Sequence, residues 1–403
     1  MSISAVFEWT SEHPNVEMFY NLTRRRVDYP QLLIRLLIAI AFTNKISKSL
    51  HWRQRLSITY LQVQTATFSF HQLTHGLRNN PTGSAIKSYC TRHRIPLKTI
   101  LVSHTIPTES KVGSGVYAPP PTLHFVTPPS ATADGPVLLY FHGGGYVNPL
   151  RGIAHMPFVL RCAAACKARE VVFLEYALAP EYRYPVQLVQ AVSALRYLLK
   201  DLLLRAEDIV LAGDSAGGHL AGSLLAHMVK TSPYAASLDI NGGRFRAVLF
   251  VSPWTTMRVD QGSYETNAEK DYINRTGVSW LKGLWIPTEE DVWADLCEGE
   301  GAEDVWSQVF PSPKGSPGLV KNAMVTAGTA EVLLDSCRRF ARDCVRAQTV
   351  AARRETDWSV LGGKDFIFVE CEGEVHVQPA LDAALRYHDG VMMRAILRWL
   401  ENV

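Results

Sequence analysis

The chain has 403 residues, 47% hydrophobic and 20% charged, enough to bury a large core in one domain with an appended cap, or in two. A net charge of +3, with no basic stripe interleaved with aromatics, argues against a nucleic-acid partner. Seven irregularly spaced cysteines form no disulfide framework, which points to a reducing, cytoplasmic setting.

Glu8, Glu12 and His13 precede any apolar run, so the N-terminus does not read as a secretory signal. The most apolar stretch, Leu32 to Phe42, is interrupted by Arg35 and is too short for a spanning helix, which needs roughly 20 residues. Arg24, Arg25, Arg26, Lys45, Lys48, Arg53 and Arg55 flank it, opposed by Asp28 alone. Two readings of residues 29–46 stand: a helix packed as a cap, or one resting peripherally on an anionic cytoplasmic or ER membrane surface. Helical spacing continues to about residue 100, so residues 1–100 are expected to form a helical cap region. His71 and His75 have metal-helix spacing, but Gln72 follows the first and no third ligand is evident; no metal site is expected.

From residue 100 the texture changes. Ile100 to Val102, Leu123 to Val126 and Pro136 to Phe141 are short β-type runs between Pro- and Gly-rich turns. Further strands are expected at Val171 to Tyr176, Asp208 to Gly213, Ala247 to Ser252, Ala323 to Gly328 and Phe366 to Cys371. Helices are expected at Pro185 to Leu199, Ala216 to Val229, Leu333 to Val345 and Leu381 to Leu400. Such alternation predicts a mostly parallel sheet with helices on both faces over residues 101–403. Residues 255–315, rich in Trp, Asp and Glu, break the pattern and read as an inserted lid.

The strongest chemical signal is Gly213-Asp214-Ser215-Ala216-Gly217-Gly218, between a buried strand and a helix. A serine nucleophile must stand clear on a turn too tight for bulky neighbours, a need that Gly213 and Gly217 meet. The helix start behind it offers free N–H groups to a developing oxyanion. Upstream, His142-Gly143-Gly144-Gly145 also follows a strand. The N–H groups of Gly143 and Gly144, with that of Ala216, are the expected oxyanion hole, and His142 is expected to brace the loop.

Taken together, these motifs resemble the hormone-sensitive-lipase-like branch of the α/β-hydrolases, which includes esterases, arylacetamide deacetylases and sterol-acetate deacetylases. The likeness covers about residues 100 to 400. It rests also on Tyr176-Ala177-Leu178-Ala179-Pro180-Glu181, on Ser252-Pro253-Trp254, and on Ser263-Tyr264 with Asn267 and Asp271. The resemblance implies an α/β-hydrolase fold and a Ser, acid, His chain order. His376, after the last strand, is then the base, ahead of His388, which falls inside the expected terminal helix. The acid belongs about three residues after Gly328, where Glu331 stands in place of the usual Asp, with Asp335 the alternative. Thr256 replaces an Asp common in the family and is expected to affect cap packing. The implied activity is hydrolysis of a short-acyl ester, such as an acetate, of a hydrophobic alcohol, without cofactor. Acyl transfer, lyase chemistry, amide hydrolysis and a non-catalytic ligand receptor are the rivals.

Overall fold

The computed structural model describes residues 46–102, 118–311, 315 and 317–403. Most of the expected cap helix at residues 29–46 therefore lies outside the described residues. Among the described residues no helix is long and apolar enough to cross a membrane.

Among the described residues three helices come first: α1 (Trp52–Thr67), α2 (Phe70–Arg78) and α3 (Thr82–His93). α2 starts on a reciprocal cap, in which Ser69 Oγ accepts the Gln72 N–H and Gln72 Oε1 accepts the Ser69 N–H. The sheet then begins with β1 (Leu97–Leu101), β2 (Thr122–Val126) and β3 (Val137–Phe141). The expected boundary at 100/101 passes through β1, because the strand starts as soon as α3 has ended. There follow α4 (Gly152–Ala165), β4 (Glu170–Glu175), α5 (Val186–Arg196), β5 (Ile209–Asp214), α6 (Ala216–Val229) and β6 (Phe245–Val251). The insertion carries α7 (Ser263–Thr266), α8 (Arg275–Trp285) and α9 (Ala302–Val309). The chain ends with β7 (Val320–Gly328), α10 (Leu334–Arg339), β8 (Gln348–Ala352), β9 (Phe366–Cys371), α11 (Gln378–Ala384) and α12 (Val391–Leu400).

Among the described residues all nine strands join one sheet in the order β1-β2-β4-β3-β5-β6-β7-β9-β8. β1 and β2 run antiparallel at one edge, and every pair from β4 onward is parallel. Central strands carry long apolar runs, such as Ile209 to Ala212 in β5 and Ala247 to Val251 in β6, because both faces are covered. In β3, Val137, Leu139 and Phe141 pack with α5 and α6, whereas Leu138 and Tyr140 pack with α3, α4, α11 and α12. The same alternation in β5 sends Leu211 to one face and Val210 and Ala212 to the other. The strands thus end together, which brings the loops after β3, β5, β6, β7 and β9 to one rim of the sheet.

Two expectations need correction. β8 was not anticipated; it is an edge strand with Gln348, Thr349 and Ala351 exposed, so it lacks the unbroken apolar run that marks the central strands. The helix expected over Leu381 to Leu400 is broken, with α11 ending before Arg386, whose φ is 53°. The Glu374 carboxylate then caps α12, accepting the Val391 and Met392 N–H groups at 2.7 and 2.8 Å. A side chain on Gly390 would collide with the Asp382 carboxylate, so the break is held by Glu374 from outside the segment and by Asp382 within it. His388 consequently lies in the turn between the two helices, 2.7 Å from an Arg161 nitrogen.

Candidate active site

Ser215 sits between β5 and α6 with φ 51° and ψ −119°, a strained conformation that lifts its side chain clear of the strand. The neighbouring backbones are close enough that a Cβ on Gly213 would strike Gly217, and one on Gly217 would strike the Phe141 carbonyl. Ser215 Oγ lies 2.9 Å from His376 Nε2. Residue 376 comes from the loop after β9, so the pair spans two strands of the sheet.

On the far side of the imidazole, Nδ1 is 3.8 Å from Glu331 Oε2. This is a Coulombic contact rather than a closed hydrogen bond, since Nδ1 is buried without a bonding partner. Burial by itself depresses the His376 pKa, but the carboxylates of Glu331, Asp271 and Asp214 outweigh it and raise the imidazole above its usual value. Glu331 is fully buried and its Oε2 accepts a 2.7 Å hydrogen bond from Ser252 Oγ. Ser252 Oγ in turn accepts the Val377 N–H at 3.1 Å, tying the acid to the residue after the base. Asp335 turns the other way, accepting the Ser263 N–H at 2.8 Å and pairing with Arg338. Of the two candidate acids, the fold brings Glu331 to the imidazole.

The glycine loop differs from expectation at one position. The Gly143 N–H donates to Asp214 Oδ1 at 2.9 Å, so it is not free for an oxyanion. Asp214 is the residue before the serine, buried beneath the loop, and also receives the Tyr140 hydroxyl, with His155 Nε2 3.4 Å away. Burial alone would raise Asp214, but the charge and hydrogen bond of His155, with the Tyr140 and Gly143 donors, hold it below the usual carboxylate range. Gly144 and Gly145, at φ 116° and 61°, come next along the loop, and their N–H groups have no acceptor among the described residues. Neither does the Ala216 N–H, at the first turn of α6. Three donors of the expected kind are therefore available, with Gly145 in the place expected for Gly143.

His142 braces the loop. Its ring stacks on Tyr176 at 4.4 Å, Nδ1 lies 2.6 Å from the Gly143 carbonyl oxygen, and burial pushes its pKa down to about 4. Thr256 donates to Asp295 Oδ2 at 2.7 Å, and Asp295 also accepts the Met257, Cys297 and Glu298 N–H groups, anchoring the insertion. Asp271, which burial pushes up to about 7, accepts the Val332 N–H at 2.9 Å and the His376 N–H at 3.4 Å. The roles of Asp214, Ser252 and Asp271 were missed from sequence, although all three fall inside motifs that carried the resemblance.

A cavity of about 580 Å³ opens onto Ser215. α1 and α2 form one wall with Leu61, Phe68, Phe70 and Leu73, and the insertion forms another with Trp280 and Leu281. No group of three or more metal-ligating side chains occurs among the described residues.

Comparison with known proteins shows the family and the fold. Residues 138–359 match a family described by the alpha/beta hydrolase fold. The chain is 25% identical over 288 residues to an esterase of Gibberella moniliformis, covering 70% of this chain and 78% of that one. It is 29% identical over 270 residues to the versiconal hemiacetal acetate esterase of Emericella nidulans, covering 65% of this chain and 82% of the relative. Among solved structures, a fungal esterase of Rhizomucor miehei superposes with a TM-score of 0.61 at 19% identity, over 88% of this chain and 96% of the other.

Proposed function

This chain belongs to the α/β-hydrolase fold family, in its hormone-sensitive-lipase-like branch, and from that premise we propose that it is a serine esterase with Ser215, His376 and Glu331 as its triad. The observation that carries the reading is the 2.9 Å separation of Ser215 Oγ and His376 Nε2. Ser215 Oγ attacks the ester carbonyl while His376 Nε2 takes its proton. The Glu331 carboxylate stabilises the imidazolium that forms. Negative charge on the carbonyl oxygen is received by the N–H groups of Gly144, Gly145 and Ala216, a preorganised set in which each donor is worth about 10²–10³ in rate. His376 then protonates the leaving alcohol, and water repeats the attack on the acyl-enzyme, releasing the acid and restoring Ser215.

The substrate in this reading is a short-acyl ester of a bulky apolar alcohol. A cavity of about 580 Å³ with aromatic and aliphatic walls favours such an alcohol. The Emericella relative's name, an acetate esterase, favours a small acyl group.

A fluorophosphonate probe should label the wild type and spare Ser215→Ala. Hydrolysis of p-nitrophenyl acetate should exceed that of the octanoate, and the matched anilide should be cut more slowly than the ester. Failure of the wild type to label or to hydrolyse any of these esters sinks the assignment and favours the receptor reading.

A further inference from the structure

Two loops that are distant in sequence have to be held in register for the Glu331–His376 contact to exist at all. The insertion supplies that register through three buried side chains spaced four residues apart. Ser263 Oγ donates to the Val332 carbonyl at 2.7 Å. Asn267 Nδ2 donates to the carbonyls of Thr329 and Glu331 at 3.1 and 2.8 Å. Asp271 Oδ2 accepts the Val332 N–H at 2.9 Å, while its Oδ1 accepts the Tyr272 N–H at 2.8 Å and the His376 N–H at 3.4 Å. The first two residues hold only the acid loop. Asp271 alone of the three touches both the residue after the acid and the base itself.

We propose that Asp271 is a positioning residue of the acyl-transfer site, registering the His376 backbone against the Glu331 loop, an inference that rests on the triad reading above. The chemistry selects a carboxylate. Three N–H donors converge on it, which two acceptor oxygens satisfy and the single oxygen of an amide cannot. The residue is 3% exposed, so a donor left unmatched there has no water to turn to. The segment is also coupled to the cavity. Tyr272, Ile273 and Asn274, directly after Asp271, line it, and the Tyr272 ring lies 6.2 Å from the His376 ring. From the other side, Gln62 on α1 donates to the carbonyls of Glu269 and Asp271 at 3.0 and 3.1 Å, so the helical wall and the insertion are bound at this point.

The test is steady-state hydrolysis of p-nitrophenyl acetate by wild type, Asp271→Asn and Asp271→Ser, at a temperature where thermal unfolding shows each variant folded. A loss of register by a fraction of an ångström predicts kcat lower by about 10- to 100-fold with KM within twofold. Gln62→Ala, at a partly exposed position away from the cavity, keeps the question answerable if both Asp271 variants fail to fold. It should lower kcat about threefold with KM unchanged. A folded Asp271→Asn with wild-type kcat, or a loss that sits in KM alone, overturns the inference while leaving the esterase reading intact; so does an unaltered Gln62→Ala where it is the variant that answers. A wild type with no Ser215-dependent turnover overturns both.

Discussion

The 3.8 Å between His376 Nδ1 and Glu331 Oε2 leaves the imidazole dependent on charge rather than on a closed hydrogen bond. Glu331→Gln removes that charge and should lower kcat by about 10³–10⁴, as loss of an orienting carboxylate does in serine hydrolases generally. Asp335→Asn should stay within about twofold, since Asp335 is engaged with Ser263 and Arg338. The reverse ranking would transfer the role to Asp335. The pH profile gives a second readout. Attack needs the neutral imidazole, and the neighbouring carboxylates raise His376 above its ordinary value of 6.5. The rising limb of kcat/KM should therefore sit above pH 6.5 in the wild type and move down in Glu331→Gln, where the imidazolium has lost its partner. At this scale the serine and histidine were legible in the sequence, because each sits in a local motif at the end of a strand. The identity of the free loop donors was not. Which glycine N–H is spent on Asp214 depends on a side chain 71 residues away in sequence.

At the scale of elements, the C-terminal helices carry a pH signature. Glu374 caps α12, and Gln54 on α1 donates to Glu374 Oε1 and Asp382 Oδ2 at 3.3 and 2.9 Å. Burial pushes Glu374 up to about 7 and raises Asp382 as well. Between the ordinary glutamate value of 4.5 and about 7, the folded chain holds a proton that the unfolded chain releases. Stability therefore falls as pH rises through that window. Melting temperature measured from pH 4.5 to 7.5 should decline less steeply in Glu374→Gln than in the wild type; an unchanged slope would place the proton elsewhere. The same pair explains why one helix was expected where two exist. Apolar periodicity runs through residues 381–400, and the interruption comes from carboxylates contributed by β9's loop and α11. Periodicity reports which face is buried and does not register a cap arriving from another part of the chain.

Across the whole molecule, stability rests on two apolar layers that clamp the sheet, and no disulfide links the described cysteines. Leu224, fully buried on α6, packs in the layer behind Ser215. Leu224→Ala should cost about 2–5 kcal/mol in unfolding free energy, by lost burial and a residual cavity. Hydrolysis of p-nitrophenyl acetate well below the melting temperature should change by less than about twofold, because the substitution leaves the rim of the sheet untouched. A loss of activity without a loss of stability would mean that the Ser215 turn is less insulated from the core than the packing indicates.

The sequence by itself determined the fold class and put Ser215 and His376 just after strands, because apolar strands and small-residue turns are local constraints written in consecutive residues. Tertiary structure alone brought Glu331 rather than Asp335 to the His376 imidazole, engaged the Gly143 N–H with Asp214, split the terminal helix, and put Asp271 in contact with the Val332 and His376 N–H groups. Each of those outcomes turns on a hydrogen bond or charge contact between residues far apart along the chain, and only the folded sheet brings such partners within reach.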